Sequence, residues 1–252
     1  MKYCSDFVVA DKVMLENNFF RLALKSKSKL PSIIPGQFVQ VLTTENNGNN
    51  LRLPISINDI CEKNNIIYLL IQIIGEGTRT LSRVEIGERV NMIYPLGNGF
   101  DIAGDKVLFV GGGVGIAPFL HLAKAYHNNG IKPDVLIGAR TDKHLLLLDE
   151  FKPYAELHIT TEDGSMGTKG FVTAHPIFNT KFDRIYSCGP TPMMKVVADK
   201  AKQHNIPCWV SLEERMACGI GACLCCVVMT NEGHKCTCTD GTVFNAADLT
   251  DF

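Results

Sequence analysis

Six of the ten cysteines lie within residues 218 to 238, and this clustering constrains the fold more than any other feature of the sequence. Cys218, Cys223 and Cys226 follow the spacing C-x4-C-x2-C, and eleven residues separate Cys226 from Cys238. This is the plant-type spacing of cysteine ligands for a [2Fe–2S] cluster. We therefore predict that Cys218, Cys223, Cys226 and Cys238 bind such a cluster.

Two other interpretations of these thiols stay open from the sequence. A structural zinc site takes four ligands, which Cys223, Cys226, Cys236 and Cys238 are spaced to supply. The cysteines are otherwise free thiols buried by packing. Cys225 and Cys236 do not fit the iron–sulfur spacing and are interpreted as spare thiols.

Composition limits the class of protein and its partners. The 252 residues are 46% hydrophobic and 20% charged, which is enough to bury a core and excludes disorder by composition. A formal net charge of −1 argues against nucleic acid or an anionic membrane as a partner. We read neither a signal peptide in residues 1 to 13 nor an apolar run long enough to span a membrane. A cytoplasmic location is the expectation.

Residues 1–100 have the pattern of an antiparallel β-barrel, with short β-rich runs divided by turn residues. The predicted strands are Phe7–Ala10, Phe19–Leu24, Gln37–Leu42, Ile66–Ile74 and Arg89–Tyr94. The predicted turns are Pro35-Gly36, Asn46–Asn50, Lys63–Asn65 and Gly97–Gly99.

Residues 101–211 alternate strands with helical stretches, which predicts a doubly wound parallel sheet that binds a nucleotide. The remaining residues, 212–252, form the cluster-binding segment, which we expect to be short and irregular. The predicted strands are Lys106–Val110, Val135–Gly138, Leu157–Thr160, Arg184–Ser187 and Cys208–Ser211, and the predicted helices are Ala117–His127 and Met193–His204.

A glycine-rich loop follows the first strand of this second domain. Gly111, Gly112, Gly113 and Gly115 stand between that strand and a helix, a context in which glycines let the backbone approach a pyrophosphate. The match to G-x-G-x-x-G is imperfect, and no acidic ribose anchor stands about 20 residues further on. Arg140 is either a phosphate contact or a solvated loop residue, so NAD and NADP both stay open.

The order of the motifs resembles the ferredoxin–NADP reductase family along essentially the whole chain. Residues 213–223 and 238–244 look more narrowly like those of the electron-transfer subunits of class B dihydroorotate dehydrogenases. The motifs that carry the resemblance are Pro35–Phe38, Pro54–Ser56, Gly75–Thr78, the glycine loop, Cys188–Pro190 and the cysteine cluster.

The resemblance implies an FAD site on the barrel and a nicotinamide site on the second domain. It also makes the same four cysteines the cluster ligands. Because the cofactors carry the redox chemistry, we expect no acid–base residue to have a central catalytic role. The implied FAD positions are Leu53, Pro54, Ile55, Ser56, Leu70, Ile71, Gln72, Gly77 and Thr78. The implied nicotinamide positions are Gly111, Gly112, Gly113, Gly115, Cys188, Gly189 and Pro190.

One position departs from the family pattern. The flavin motif usually begins with an arginine that pairs with the flavin pyrophosphate, but Leu53 stands there and Arg52 lies one residue earlier. A shift of one residue along a strand sends a side chain to the opposite face. Three possibilities follow: a bulge returns Arg52 to the site, Arg79 or another cation replaces it, or FAD binds more weakly.

The resemblance further implies a function and a partner. Electrons would pass from a dihydroorotate-oxidising subunit that contains FMN, through the [2Fe–2S] cluster and FAD, to NAD+ in pyrimidine synthesis. Two subunits of each kind would form a heterotetramer. The alternatives are a reductase subunit that serves a hydrogenase or a ferredoxin:NADP couple, and a zinc-stabilised binding module without enzyme activity.

Overall fold

A computed structural model of the chain describes residues 1–43, 51–250 and 252. The predicted turn at Asn46–Asn50 lies outside these residues. The strands are β1 (Tyr3–Met14), β2 (Phe19–Ser26), β3 (Phe38–Val41), β4 (Leu53–Cys61), β5 (Ile66–Gln72), β6 (Arg89–Leu96), β7 (Val107–Gly112), β8 (Asp134–Ala139), β9 (Glu156–Thr161), β10 (Thr168–Lys169), β11 (Arg184–Cys188), β12 (Cys208–Ser211), β13 (Val227–Thr230), β14 (Gly233–Cys236) and β15 (Val243–Asn245). The helices are α1 (Glu76–Arg83), α2 (Phe119–Asn128), α3 (Leu148–Phe151) and α4 (Thr191–Gln203).

The first six strands close into an antiparallel barrel in the order β1-β2-β5-β4-β3-β6. Alternate side chains point inward, so Val39 and Val41 of β3 join the barrel core while Phe38 faces outward. β1 is longer than predicted because it pairs with β6 over Tyr3–Val8 and with β2 over Phe7–Met14, across a bulge between Val9 and Asp11.

The second domain contains a seven-stranded sheet in the order β10-β9-β8-β7-β11-β12-β15. Every pair is parallel except β12 with β15. The predicted combination of an antiparallel barrel and a doubly wound sheet is confirmed. The strand order reverses between β7 and β11, and ligands of such sheets bind at the carboxyl ends of the strands beside this point.

Aromatic side chains join the two domains. Phe100, at the end of the barrel, packs edge-on against Tyr186 of β11 with ring centroids 5.2 Å apart. The hydroxyl groups of Tyr126 and Tyr186 lie 3.0 Å apart, and Tyr126 also bonds both backbone groups of Ala103. The connection between the domains is therefore fixed by buried aromatic contacts.

The C-terminal segment is more regular than predicted and does not form a separate lobe. β13 and β14 pair as a hairpin, and β15 pairs with β12 at the edge of the large sheet. Phe244 of β15 is buried in the core of the second domain, which explains why this short strand is held there. Among the residues that the structure describes, no helix is long and apolar enough to cross a membrane.

Candidate functional site

The loop from Cys218 to Cys223 wraps its backbone around one thiol. The Cys218 Sγ atom accepts N–H groups from Ile220 at 3.4 Å, Ala222 at 3.3 Å and Cys223 at 3.4 Å. These donors, with Ile220 the strongest, lower the pKa of the Cys218 thiol to about 6. A thiolate so stabilised is ready to ligate iron.

The four predicted cluster cysteines come together as two neighbouring pairs. Cys218 contacts Cys223, and Cys238 contacts Cys226 and accepts the N–H group of Gly221. Cys226 and Cys238 are buried against the barrel, whereas Cys223 is exposed. Two pairs of thiols, supported by backbone donors to sulfur, fit a cluster of two irons with two cysteines on each.

The cysteines outside the spacing have different surroundings. Cys225 is exposed, and the thiol of Cys236 lies beside that of Cys226 while its N–H group donates to Asp240 at 2.7 Å. Within residues 1–43, 51–250 and 252, no three His, Cys, Asp or Glu side chains are grouped to hold a single metal ion. The zinc interpretation uses Cys236 as a ligand, whereas the iron–sulfur interpretation leaves it as a neighbour of Cys226.

A cavity of about 950 Å³ opens between the barrel and the carboxyl ends of β7 and β11, where the sheet order reverses. It lies where the nicotinamide site was predicted. Its walls include Asn17, Asn18, Phe19, Gln72, Gly112, Gly113, Gly115, Arg140, Phe171, Gly189, Pro190 and Glu213.

The glycine loop and the Cys188–Pro190 loop pack directly on each other. A Cβ atom on Gly115 would lie 2.4 Å from the Cys188 carbonyl oxygen, so only glycine fits there. Gly113 has a φ of +57°, and a Cβ atom built on it would have no neighbouring atom within 4 Å. The backbone at this position is therefore open to a ligand. Gly111 instead faces Ile116 and does not line the cavity.

Glu213 lines the cavity, whereas Cys188, predicted at the nicotinamide site, lies near Glu213 but is not part of the cavity lining. Cys188 is buried, and this burial, with the nearby Glu213 carboxyl group, raises the pKa of its thiol. Desolvation by the cavity walls also raises the pKa of Glu213, although the residue keeps an exposed surface. Glu213 can therefore hold a proton at the cavity more readily than an ordinary glutamate.

The FAD positions implied by the family fall on two faces of the barrel wall. Leu53 and Ile55 pack against the barrel core, while Pro54 and Ser56 lie opposite Gln40 and Phe38 of β3. Cross-strand partners share a face, so Pro54 and Ser56 point away from the core.

The remaining FAD positions lie on β5 and at the start of α1. Leu70 and Ile71 are buried in cores, and Gln72 lines the cavity. Thr78 Oγ1 accepts the N–H groups of Ile74 and Gly75, which fixes the start of α1. A Cβ atom on Gly77 would lie 2.8 Å from Leu53 Cδ2, so Leu53 covers the first turn of this helix.

Arg52 is held away from the FAD positions. Its guanidinium donates to Asn91 Oδ1 at 2.6 Å and to the carbonyl oxygens of Gln40 and Asn91, each at 3.3 Å. The pairing of β3 with β4 runs without a bulge from Val41–Leu53 to Phe38–Ser56. The proposed bulge that returns Arg52 to the site is therefore wrong. Arg79, in the first turn of α1 and 53% exposed, stays a candidate cation.

Comparison with known proteins assigns two segments of this chain. Residues 213–250 match the family model described as the iron–sulfur cluster binding domain of dihydroorotate dehydrogenase B. Residues 109–199 match the oxidoreductase NAD-binding domain. These matches contain the predicted cluster cysteines and both loops at the cavity.

Curated relatives extend the similarity to the whole chain. The "Dihydroorotate dehydrogenase B (NAD(+)), electron transfer subunit" of Fusobacterium nucleatum subsp. nucleatum is 35% identical, with 97% of each chain covered. The protein of the same name from Bacillus caldolyticus is 35% identical, with 96% of each chain covered. The chain belongs to this family of electron-transfer subunits.

A solved structure of NADH-dependent reduced ferredoxin–NADP oxidoreductase shares the fold of this family member, with a TM-score of 0.87 and 33% identity. The alignment covers 96% of this chain and 89% of that one. Family membership confirms the predicted C-terminal iron–sulfur segment and the NAD-binding domain. It also supports FAD as the third cofactor of an oxidoreductase subunit.

Three features of the site were missed in the sequence. Asn17 and Asn18 line the cavity with positive φ angles, and the adjacent pair of asparagines was the available signal. Glu213 opens the motif that precedes the cysteines, but nothing in its spacing placed it at the cavity. Gln40 lies on the outer face of β3 beside the cluster loop, and a buried glutamine has no sequence signature.

Proposed function

We propose that this chain carries electrons from a dihydroorotate-oxidising partner subunit to NAD+ in pyrimidine synthesis. The observation that carries the proposal is the 35% identity to dihydroorotate dehydrogenase B electron-transfer subunits over 97% of the chain. The two cofactor regions support it, since both adjoin the barrel: Cys226 and Cys238 pack with Phe38, and Gln72 of β5 lines the cavity.

The bound groups supply the redox chemistry: FAD exchanges one or two electrons, so it can connect a one-electron [2Fe–2S] cluster with two-electron NAD. The residues of this chain bind these groups and exclude water. Pro54 and Ser56 on β4 and the first turn of α1 would hold FAD, with Gly77 leaving room for close approach of the backbone. Gly113 and Gly189 would hold the nicotinamide nucleotide at the reversal point of the sheet.

The cysteine loop would hold the cluster near the protein surface. Cys218, Cys223, Cys226 and Cys238 are the proposed ligands, and backbone N–H groups donate to two of their sulfurs. Such donors and the degree of burial set the reduction potential of iron–sulfur clusters.

The outer side of this loop is the proposed contact for the partner. Ile220 and Leu224 are 48% and 65% exposed beside the cluster cysteines, an unusual exposure for large apolar side chains. The proposed partner is the FMN-containing catalytic subunit, and the proposed assembly is a heterotetramer with two copies of each. The tightly clustered thiols favour the reducing cytoplasm as the compartment.

Co-expression of this chain with a dihydroorotate-oxidising catalytic subunit tests the proposal. The expected result is a complex that reduces NAD+ when dihydroorotate is added, while either subunit alone does not. The variant Leu224→Glu, which places a charge in the proposed contact, should weaken the complex without loss of cluster or FAD from this chain. A complex that forms but never reduces NAD+ with dihydroorotate would contradict the proposed reaction.

A second candidate rests on the solved structure that shares 33% identity. That protein is a reduced ferredoxin–NADP oxidoreductase, so this chain is alternatively a reductase subunit for a ferredoxin:NADP couple. Activity with reduced ferredoxin and NADP+, in the absence of any dihydroorotate-dependent activity, would select this candidate.

A further inference from the structure

Gln40 carries a fully buried side-chain amide whose hydrogen-bonding capacity is unused. The residue is 0% exposed, and within the described parts of the chain neither its Nε2 nor its Oε1 atom has a partner. Leaving a buried amide without a hydrogen-bond partner destabilises the fold. Such a group is therefore expected to meet a ligand that the polypeptide does not supply.

The side chain of Gln40 points directly at the cluster loop. A Cβ atom on Gly219 would lie 2.7 Å from both Cγ and Nε2 of Gln40, so the loop crosses this amide without a side chain between them. Gly219 follows Cys218, whose sulfur accepts N–H groups from Ile220, Ala222 and Cys223 of the loop. The amide thus lies against the part of the loop that encloses Cys218.

The neighbours of Gln40 place it between the two cofactor regions. On β3, Phe38 lies on the same outer face and packs with Cys226 and Cys238. On β4, the residue opposite Gln40 is Pro54 of the FAD motif. Phe38 and Gln40 therefore lie between the FAD positions and the thiol pairs. Of these two residues, only Gln40 has a polar side chain.

We propose that the Gln40 side-chain N–H group donates a hydrogen bond to a sulfur of the [2Fe–2S] cluster and raises its reduction potential. The inference rests on the proposed function, because it requires the cluster to be present. A sulfur acceptor gains negative charge when the cluster is reduced, so a donor stabilises the reduced form more than the oxidised form. Gln40 acts as a positioning and tuning residue, since it ligates no iron.

Isotope labelling of the full-length, cluster-loaded chain tests the contact directly. The sequence contains four glutamines, Gln37, Gln40, Gln72 and Gln203, so side-chain ¹⁵N-glutamine introduces few labels. Pulsed electron paramagnetic resonance of the reduced cluster should detect a ¹⁵N coupling in the labelled wild-type protein. The same coupling should be absent from labelled Gln40→Leu protein, whereas signals from scrambled backbone label would persist.

A potentiometric titration gives the second readout. Gln40→Leu should lower the equilibrium constant for cluster reduction about tenfold, a shift of about 59 mV to more negative potential for one electron. Asn58→Leu is the matched control, because Asn58 is also a buried barrel amide with an unpartnered atom, but its Nδ2 donates to Ala117 in the second domain. The control variant should keep the wild-type cluster potential.

The outcomes separate the inference from the function on which it rests. A ¹⁵N coupling that is present in the wild-type protein and absent from Gln40→Leu, together with the shifted potential, supports the hydrogen bond. Gln40→Met, which keeps the length of the side chain, replaces Gln40→Leu in both measurements if that variant fails to fold. A normal cluster without the coupling overturns the inference and leaves the proposed function standing. A wild-type chain that binds no [2Fe–2S] cluster after reconstitution overturns both.

Discussion

At the scale of single residues, cysteines that are close in sequence have different surroundings in the fold. Cys218 accepts three backbone N–H groups, whereas Cys225 is exposed one residue before the buried Cys226. Cys236 lies beside Cys226 and is the residue on which the iron–sulfur and zinc interpretations differ. Cysteine-to-serine substitutions, which hardly change side-chain size, therefore distinguish the iron–sulfur interpretation from the zinc interpretation.

Cys218→Ser should abolish cluster assembly, and Cys236→Ser should keep two irons per chain. The reason is that Cys218 belongs to the proposed ligand pairs, whereas Cys236 is only their neighbour. Iron, sulfide and zinc contents of the purified variants measure this, with Cys225→Ser as the control. The reverse pattern, zinc retained in Cys218→Ser and lost in Cys236→Ser, would establish the zinc site.

Leu53 sets the expected strength of FAD binding. Its side chain covers Gly77 at the start of α1, where an arginine would bring its charge to the FAD positions. Leu53→Arg should therefore strengthen FAD binding about tenfold, the size of one charge-assisted hydrogen bond. Fluorescence titration of the FAD-free chain measures the affinity. Arg52→Leu serves as control and should leave it unchanged, because Arg52 contacts Asn91 instead; equal affinities in all three proteins would contradict this role of position 53.

The residue scale also shows what sequence alone can and cannot predict. The spacing of Cys218, Cys223 and Cys226 is set by the geometry of the cluster itself, so it is readable without a structure. The partners of Arg52 and the burial of Gln40 depend on strands that meet only in the barrel. No local pattern encodes such contacts.

At the scale of elements, α2 forms a polar seam against β4. Lys124 Nζ lies 2.5 Å from Asp59 Oδ2, and Asn58 Nδ2 donates to the Ala117 carbonyl oxygen at 2.7 Å. His121 of α2 is largely buried in the same seam with its Nδ1 atom unpartnered in the described structure. Burial lowers the pKa of His121 below that of a free histidine, despite the nearby Asp59.

The burial of His121 should lower the folding stability of the protein in acid. The unfolded chain protonates His121 near pH 6.5, but the folded chain resists protonation to a lower pH, so folding stability falls as the pH drops below about 6.5. The loss is at most about 1.4 kcal/mol for each pH unit between the two pKa values. Thermal unfolding midpoints at pH 7.5 and 5.5 should differ less in His121→Leu than in the wild type. Equal differences would show that His121 does not contribute.

The bounds of a strand were predictable where its own residues form a short apolar run. The five strands predicted between residues 106 and 211 lie close to their predicted positions because each is a short apolar run, as in Arg184–Cys188, whereas β10, β13 and β14 were not predicted. β15 was missed because three residues, Val243–Asn245, gain their stability only by pairing with β12. The length of β1 likewise depends on two successive pairing partners.

At the scale of the whole molecule, the barrel and the cluster segment are locked together by Asn98. Its Nδ2 donates to the carbonyl oxygens of Asp240 at 2.9 Å and Val243 at 2.7 Å, and its Oδ1 accepts the Val243 N–H group at 2.9 Å. A second tie joins Thr242 Oγ1 to the Gly36 carbonyl oxygen at 3.2 Å. These bonds hold the thiol pairs against the barrel wall that carries the FAD positions.

Asn98→Ala should loosen the cluster segment without unfolding the chain. Removal of three hydrogen bonds is expected to cost about 2–4 kcal/mol locally, at about 1 kcal/mol each. Hydrogen exchange of residues 237–245 should accelerate, while exchange in β8 and β9 stays unchanged. Asn129→Ala, just after the end of α2, is the control, because its Nδ2 donates to the Ala125 carbonyl oxygen of that helix and not to the cluster segment as described. Unaltered exchange in Asn98→Ala would contradict the locking role.

The proposed electron route is tested most directly by titrating the anaerobically purified chain with NADH while its visible spectrum is recorded. We expect flavin and iron–sulfur bands to be present and both to bleach, because the proposed route joins the cavity, the FAD positions and the thiol pairs. Cluster bands that bleach only after FAD is added would show weak FAD retention at Leu53. A protein that shows no cluster or flavin bands after iron–sulfur reconstitution and FAD addition would contradict the proposed electron route.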